Sequence, residues 1–240
     1  MSAQDQTALF DDRSRYVDRF GLLLGLTVIT VIALSLVDLR EPFGDAGSEL
    51  GFAVVTVLAG SMFLIALRAS GVAHRWQTLA DILVGLSVTI VLGVLLYDLV
   101  VDEDLSGLHN GGAPFFWLTL AALTPIAVVR RLLTHRQVTT QTLLGAIATY
   151  LLIAVAFNYA FLTADAYQTP FFGEPEATTS FMYYSLVTAT TLGYGDLAAS
   201  TDLGRLLSTS AAVIGQVFLV TFVAMLVGLL AQARRRPVQE

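Results

Sequence analysis

The sequence predicts an all-α membrane protein with six membrane-spanning helices and one short segment that enters the bilayer and returns. Three observations predict it. The 240 residues are 55% hydrophobic but only 13% charged, against roughly 25% charged in a soluble domain. Six apolar stretches lie between charged or turn-rich boundaries, several of them close to the ~20 residues a helix needs to cross the hydrocarbon core. The arginines fall almost entirely into alternate gaps between those stretches.

The polar stretch Ala8 to Tyr16 suits either a surface helix or a frayed tail. The first span, Arg19 to Val37, follows Arg13, Arg15 and Arg19 and so invites a signal-peptide reading. Its apolar core is long for one, and no small-x-small cleavage site precedes Asp38, so an uncleaved span is expected. The second span is Leu50 to Leu67. The third, Trp76 to Val100, carries Asp81, the one carboxylate inside a span, for which an ion pair with Arg130 or Arg131 is expected. The fourth is Pro114 to Val129, with Pro125 as a kink site. The fifth is Thr139 to Leu162 and the sixth Leu203 to Ala233. Between these last two, Ala177 to Gly195 is apolar but too short to cross and return as helices, which makes it a re-entrant loop buried in protein.

Orientation follows from charge. Arg13, Arg15, Arg19, Arg68, Arg75, Arg130, Arg131, Arg136 and Arg234 to Arg236 share one side, leaving Arg40 and Arg205 for the other. The opposite loops are acidic: Asp38, Glu41, Asp45 and Glu49, then Asp98, Asp102, Glu103 and Asp104, then Asp165, Glu174 and Glu176. Positive-inside bias therefore expects both termini in the cytoplasm and the re-entrant loop outside. Every basic residue is arginine, a hint of a GC-rich bacterial genome, and a multi-pass protein of the bacterial plasma membrane is expected. The chain has no cysteine, which excludes disulfides and thiolate metal sites.

The block Thr188-Ala189-Thr190-Thr191-Leu192-Gly193-Tyr194-Gly195-Asp196 carries the chemistry. A bare Gly-Tyr-Gly is common in turns. Between a short helix and a spanning helix, on the outer side, the whole block resembles the potassium channel family, whose filter reads Thr-Val/Ile-Gly-Tyr/Phe-Gly. Leu192 is a mild variant. The resemblance covers about Thr140 to Ala231, and the first four spans only in number and placement. It implies a homotetrameric pore in which Thr191, Leu192, Gly193, Tyr194 and Gly195 form the selectivity filter, with K+ held at Thr191 to Tyr194 as the permeant ligand and no cofactor.

Physical chemistry asks for the same residues. A dehydrated potassium ion needs several oxygen ligands, and carbonyls supply them without the tight hold of carboxylates. Aiming successive carbonyls at one axis requires right- and left-handed conformations in alternation, which Gly193 and Gly195 reach without a Cβ penalty. Thr191 can add its hydroxyl, and Tyr194 can brace the strand. One chain supplies one strand of oxygens, so a ring needs several copies.

Supporting roles follow. Thr178, Thr179 and Ser180 are candidate N-caps of a short helix whose C-terminal carbonyls would favour a cation. Tyr183 and Tyr184 stand where many relatives carry paired aromatics, and hydrogen bonds toward Tyr194 are expected of them. Thr190 is a further filter support, and Asp196 would form an acidic ring at the outer mouth. Val187 stands where some relatives have a carboxylate paired to that aspartate, and Ala199 where proline is common. Asp202 is the expected cap of the sixth span. Gly215, which matches the family's hinge glycine, serves either as a hinge or as a close helix–helix contact. Phe218, Phe222 and Met225 below it are gate candidates.

The resulting division is a cytoplasmic N-terminal segment (1–18), a four-helix, voltage-sensor-like bundle (19–136), a pore domain (137–233) and a short cytoplasmic tail (234–240) that is too small for a folded ligand-binding domain. The fourth span has no arginine within its apolar stretch; Arg130 and Arg131 stand only at its end. Steep voltage gating needs several charges crossing the field, so weak gating or none is expected. No nucleophile–base pair, phosphate loop, metal spacing or nucleic-acid signature occurs, so the chain is not expected to be an enzyme. Asp102-Glu103-Asp104 reads as solvated loop charge, and His74, His109 and His135 lack ligand spacing. The alternatives are a non-selective cation channel, a secondary transporter, which would show paired inverted repeats, and a non-conducting regulatory subunit.

Overall fold

The structure, a computed structural model, describes residues 20–37, 45–101, 113–133, 139–167 and 170–234. Among these residues are seven helices: α1 (Phe20–Leu36), α2 (Asp45–Ala69), α3 (His74–Val101), α4 (Ala113–Leu132), α5 (Thr140–Tyr167), α6 (Thr178–Ala189) and α7 (Asp202–Arg234). Helices α1–α5 and α7 occupy the six apolar stretches, and α6 lies within the segment 177–195. On length and composition α5 and the Asp202–Phe222 part of α7 can each cross a bilayer, while α1 and Ala53–Ala69 of α2 are shorter apolar helices. The N-terminal stretch Ala8 to Tyr16, Arg13, Arg15, Arg19, Asp38, Arg40, Glu41, Asp102-Glu103-Asp104, His109, His135, Arg136, Arg235 and Arg236 lie outside the described residues.

The surface is apolar and the interior holds hydroxyls, the reverse of a soluble bundle. Leu22 and Ile29 on α1, Ile82 and Ile90 on α3, Ile126 on α4 and Leu206 and Val220 on α7 are each more than half exposed. In water such a continuous apolar exterior would drive aggregation, whereas in hydrocarbon it costs nothing. Inside, Thr27, Thr124 and Thr149 are fully buried. Each donates its hydroxyl proton to the carbonyl one turn back, at Leu23, Leu120 and Gly145 respectively, at 2.7 Å. A polar side chain that bonds its own helix needs no water.

Helix α5 is the axis of the assembly, packed against α1, α4, α6 and α7, and α1 also reaches α6. One core cluster joins Phe20 and Leu23 of α1, Met62 and Phe63 of α2, Trp117 of α4, Tyr159 of α5 and Met182 of α6. The rings of Trp117 and Phe63 lie 5.8 Å apart, and those of Trp117 and Tyr159 stack at 6.3 Å. Helices α1 and α4 therefore seat on α5 of their own chain, with α2 packed against both of them and α3 against α2.

Asp81 does not pair with Arg130 or Arg131. Its carboxylate accepts from Arg68 at 2.9 Å. The cause is the tight turn at Gly71, whose φ of 63° lets α2 and α3 run side by side and puts residues 68 and 81 opposite one another. Both side chains are well exposed, so the pair contributes little to stability.

Candidate functional site

Helix α6 ends in a left-handed cap that launches the segment 191–195. Thr190 closes the helix with φ −81° and ψ −3°, and Thr191 follows at φ 58°. The amide of Thr191 donates to Thr188 O at 3.0 Å and that of Leu192 to Val187 O at 2.9 Å, the bond pattern of a Schellman cap. Glycine normally takes the left-handed position; for a β-branched residue it is a strained conformation, costing about 1–2 kcal/mol. Beyond it, Gly193 (φ 52°) and Gly195 (φ 81°) are also left-handed. Positive φ thus recurs at residues 191, 193 and 195, extending to Thr191 an alternation that the two glycines alone predict.

The last carbonyls of α6 are all engaged. Thr190 N bonds Leu186 O, Leu192 N and Gly193 N share Val187 O, Thr191 N takes Thr188 O, and the Tyr150 hydroxyl donates to Ala189 O at 3.1 Å. Thr190 Oγ1 adds a bond to Leu186 O at 2.7 Å. The negative end of α6 would therefore favour a nearby cation through its field, these oxygens being already occupied. At its other end the cap residue is Ala177, which has no side chain to cap with; Thr178, Thr179 and Ser180 are already inside the helix. Packing sets this start: Phe171, Phe172, Phe181, Phe161 and Tyr184 form a cluster of tilted and edge-on rings, with Phe172 and Phe181 at 4.9 Å.

The two tyrosines bond elsewhere than to Tyr194. Tyr183 Oη donates to Asp196 Oδ2 at 2.7 Å, and Tyr184 Oη to Ser208 Oγ on α7 at 2.8 Å. Tyr184 reaches α7 because its side of α6 faces that helix, while Tyr183 lies beside the strand's exit. The bond to Tyr183 holds the Asp196 carboxyl below the usual carboxylate range, and the same bond pushes the tyrosine up to about 12. Val187 lines a cavity of about 250 Å³ between the strand, α6 and α7, shared with Thr191, Gly193 and Gly195.

The strand's far end is tied to the preceding loop, an arrangement that sequence reasoning missed. Ser200 donates its amide and its hydroxyl to Phe171 O, and Asp165 Oδ1 accepts from Phe171 N at 2.8 Å. Arg205 Nε reaches Ala199 O at 3.3 Å. The paired phenylalanines Phe171 and Phe172, unusual in a connecting loop, were the available signal. Ala199 is buried against Gly204 and Phe171. The cap of α7 is Thr201, whose Oγ1 accepts from Gly204 N at 3.0 Å; Asp202 is the first helical residue, favourably placed at the positive helix end.

Helix α7 runs unbroken through Gly215. A Cβ there would lie 2.5 Å from Ala189 O, so the glycine is the point where the backbone of α7 meets the end of α6. Phe218 stacks on Tyr150 at 6.3 Å and on Phe222 at 5.6 Å. With Met225 they line a groove against α4 and α5. On the side of the helix away from the groove, Gln216, Leu219 and Val220 are exposed. The lone amide in the apolar middle of α7 was legible as a signal for that face. Buried Asn158 of α5 has neither side-chain atom partnered among the described residues.

Residues 146–232, from within α5 to near the end of α7, match the family model described as an ion channel. The match takes in α6, the strand and its flanking helices, and it supports ion-channel function in a membrane protein. No curated protein and no solved structure matches the chain significantly.

Proposed function

We propose that the chain is one subunit of a tetrameric, potassium-selective channel that conducts K+ passively through Thr191–Gly195, with weak voltage dependence or none. The observation that carries the reading is the strand itself: three left-handed residues in alternation, presented at the negative end of a short helix. In the single chain Leu192 and Tyr194 are 56% and 68% exposed, and a Cβ at Gly193 or Gly195 would meet nothing within 4 Å. A strand left open on one side is what a ring of copies would close. The proposed membrane arrangement has six spans, both termini in the cytoplasm and α6 re-entrant from outside. Four Asp196 carboxylates at the outer mouth concentrate cations, and Gln216 faces the wet vestibule beneath Thr191, as polar residues within spans generally do.

Recording from the purified protein in a planar bilayer under opposed potassium and sodium gradients tests this. The expected reversal potential lies near that of potassium, with loss of current in Gly193→Ala. A reversal potential near that of sodium, or midway between the two, overturns potassium selectivity.

A further inference from the structure

Helices α4, α5 and α7 enclose a groove of about 770 Å³, and apart from Arg130 and Thr221 every residue lining it is apolar. It follows α4 from Leu118 to Leu132, a path of about 21 Å at the rise of an α-helix. That exceeds the ~15 Å depth of one leaflet's hydrocarbon. Near one end stands Arg130, exposed and, among the described residues, without a hydrogen bond or ion pair.

We propose that this groove holds one acyl chain of an anionic phospholipid, with the lipid phosphate at Arg130. An apolar trough longer than a leaflet, with a single guanidinium near one end, fits a molecule that is hydrocarbon along its length and anionic at its head. Guanidinium pairs with phosphate oxygens through two parallel hydrogen bonds. The assignment rests on the proposed topology, which places Arg130 at the cytoplasmic surface, where anionic headgroups lie.

The occupant would touch Phe218 and Phe222, and this gives the site a route to the filter. Phe222 stacks on Phe218, Phe218 on Tyr150, and the Tyr150 hydroxyl holds Ala189 O at the cap that sets Thr191. Filling the groove therefore acts on the contact chain that ends beneath the strand, and potassium flux should depend on the lipid.

The test uses the full chain in phosphatidylcholine vesicles with and without phosphatidylglycerol, each lipid carrying a photoactivatable group at one acyl terminus. The phosphatidylglycerol probe should label peptides of α4, α5 and α7, about tenfold above the phosphatidylcholine probe, as one charge-assisted contact predicts. Arg130→Gln should remove that preference, Arg130→Lys should keep part of it, and Ile126→Trp, which fills the groove from an exposed position, should lower labelling by both lipids. Tyr150→Phe should keep the labelling and lose the lipid dependence of flux. Equal labelling by the two lipids, no labelling in the groove, or cross-links showing a second copy seated there would each overturn the proposal. A lipid dependence that survives Tyr150→Phe would overturn the route to the filter. Labelling needs no current, so a silent protein that labels loses the channel reading alone, and a conducting protein that does not label loses the lipid site alone.

Discussion

The Tyr183 hydroxyl bonds a carboxylate otherwise open to solvent, and this fixes the sign of an acid response. The bond favours ionised Asp196, so the folded value lies below the ordinary ~3.9. The associated stabilisation is complete above the unfolded value and is lost as pH falls through the lowered one. Removing the donor in Tyr183→Phe raises the Asp196 value, so external acid should reduce potassium current at a higher pH than in the wild type. Superimposable current–pH curves would show that this bond does not tune the outer charge. Asn158 offers a second measurement. Its amide is fully buried and, among the described residues, unpartnered, and an orphaned polar group costs about 1–3 kcal/mol, so Asn158→Leu should raise the thermal midpoint of the purified protein. The left-handed conformations of Gly193 and Gly195 were legible in the sequence, because glycine reaches them freely. That of Thr191 was not, because a β-branched residue argues against it and only the helix cap imposes it. The partners of Tyr183 and Tyr184 were equally illegible, being set by which neighbours α6 meets.

At the scale of elements, helix extents could be read from the apolar runs, and helix rotation could not. In a bilayer the lipid-facing and protein-facing sides are both apolar, so no stripe tells them apart. Phe218, Phe222 and Met225, gate candidates from the sequence, line the groove against α4 and α5 in the single chain. The caps shifted upstream, to Ala177, where loop packing overrode local preference, and to Thr201, a preferred N-cap whose hydroxyl takes the Gly204 amide. The two faces of α7 can be distinguished directly, since the chain has no native cysteine. Gln216→Cys should react with a charged, water-soluble thiol reagent applied from the cytoplasmic side and block current, while Phe222→Cys should remain unmodified. The reverse pattern would restore the phenylalanines to the conduction path. Where α7 meets α6 no space is spare. Gly215→Ala should force the helices apart at Ala189 and cost about 1–3 kcal/mol, as overpacking does. A fall in the thermal midpoint of the purified protein reads this out, and an unchanged value would mean the contact yields easily.

For the whole molecule, α4 carries basic residues only in its last turn, at Arg130 and Arg131. The conductance–voltage relation should therefore be shallow, and neutralising both arginines should leave its slope unchanged even if the lipid response is altered. A steep relation that flattens in the double variant would make α4 a sensor after all. How the first four helices sit was beyond reach of the sequence, since span counting orders helices along the chain and says nothing of which ones touch. In the fold α4 lies along α5 of its own chain, with only residues 133–139 between them. Inheritance in mixed assemblies follows from that attachment. A faulty bundle burdens only the protomer that encodes it, so its effect should dilute with each healthy copy. A fault in the strand, which all copies of the proposed tetramer share around one axis, should silence every assembly it enters.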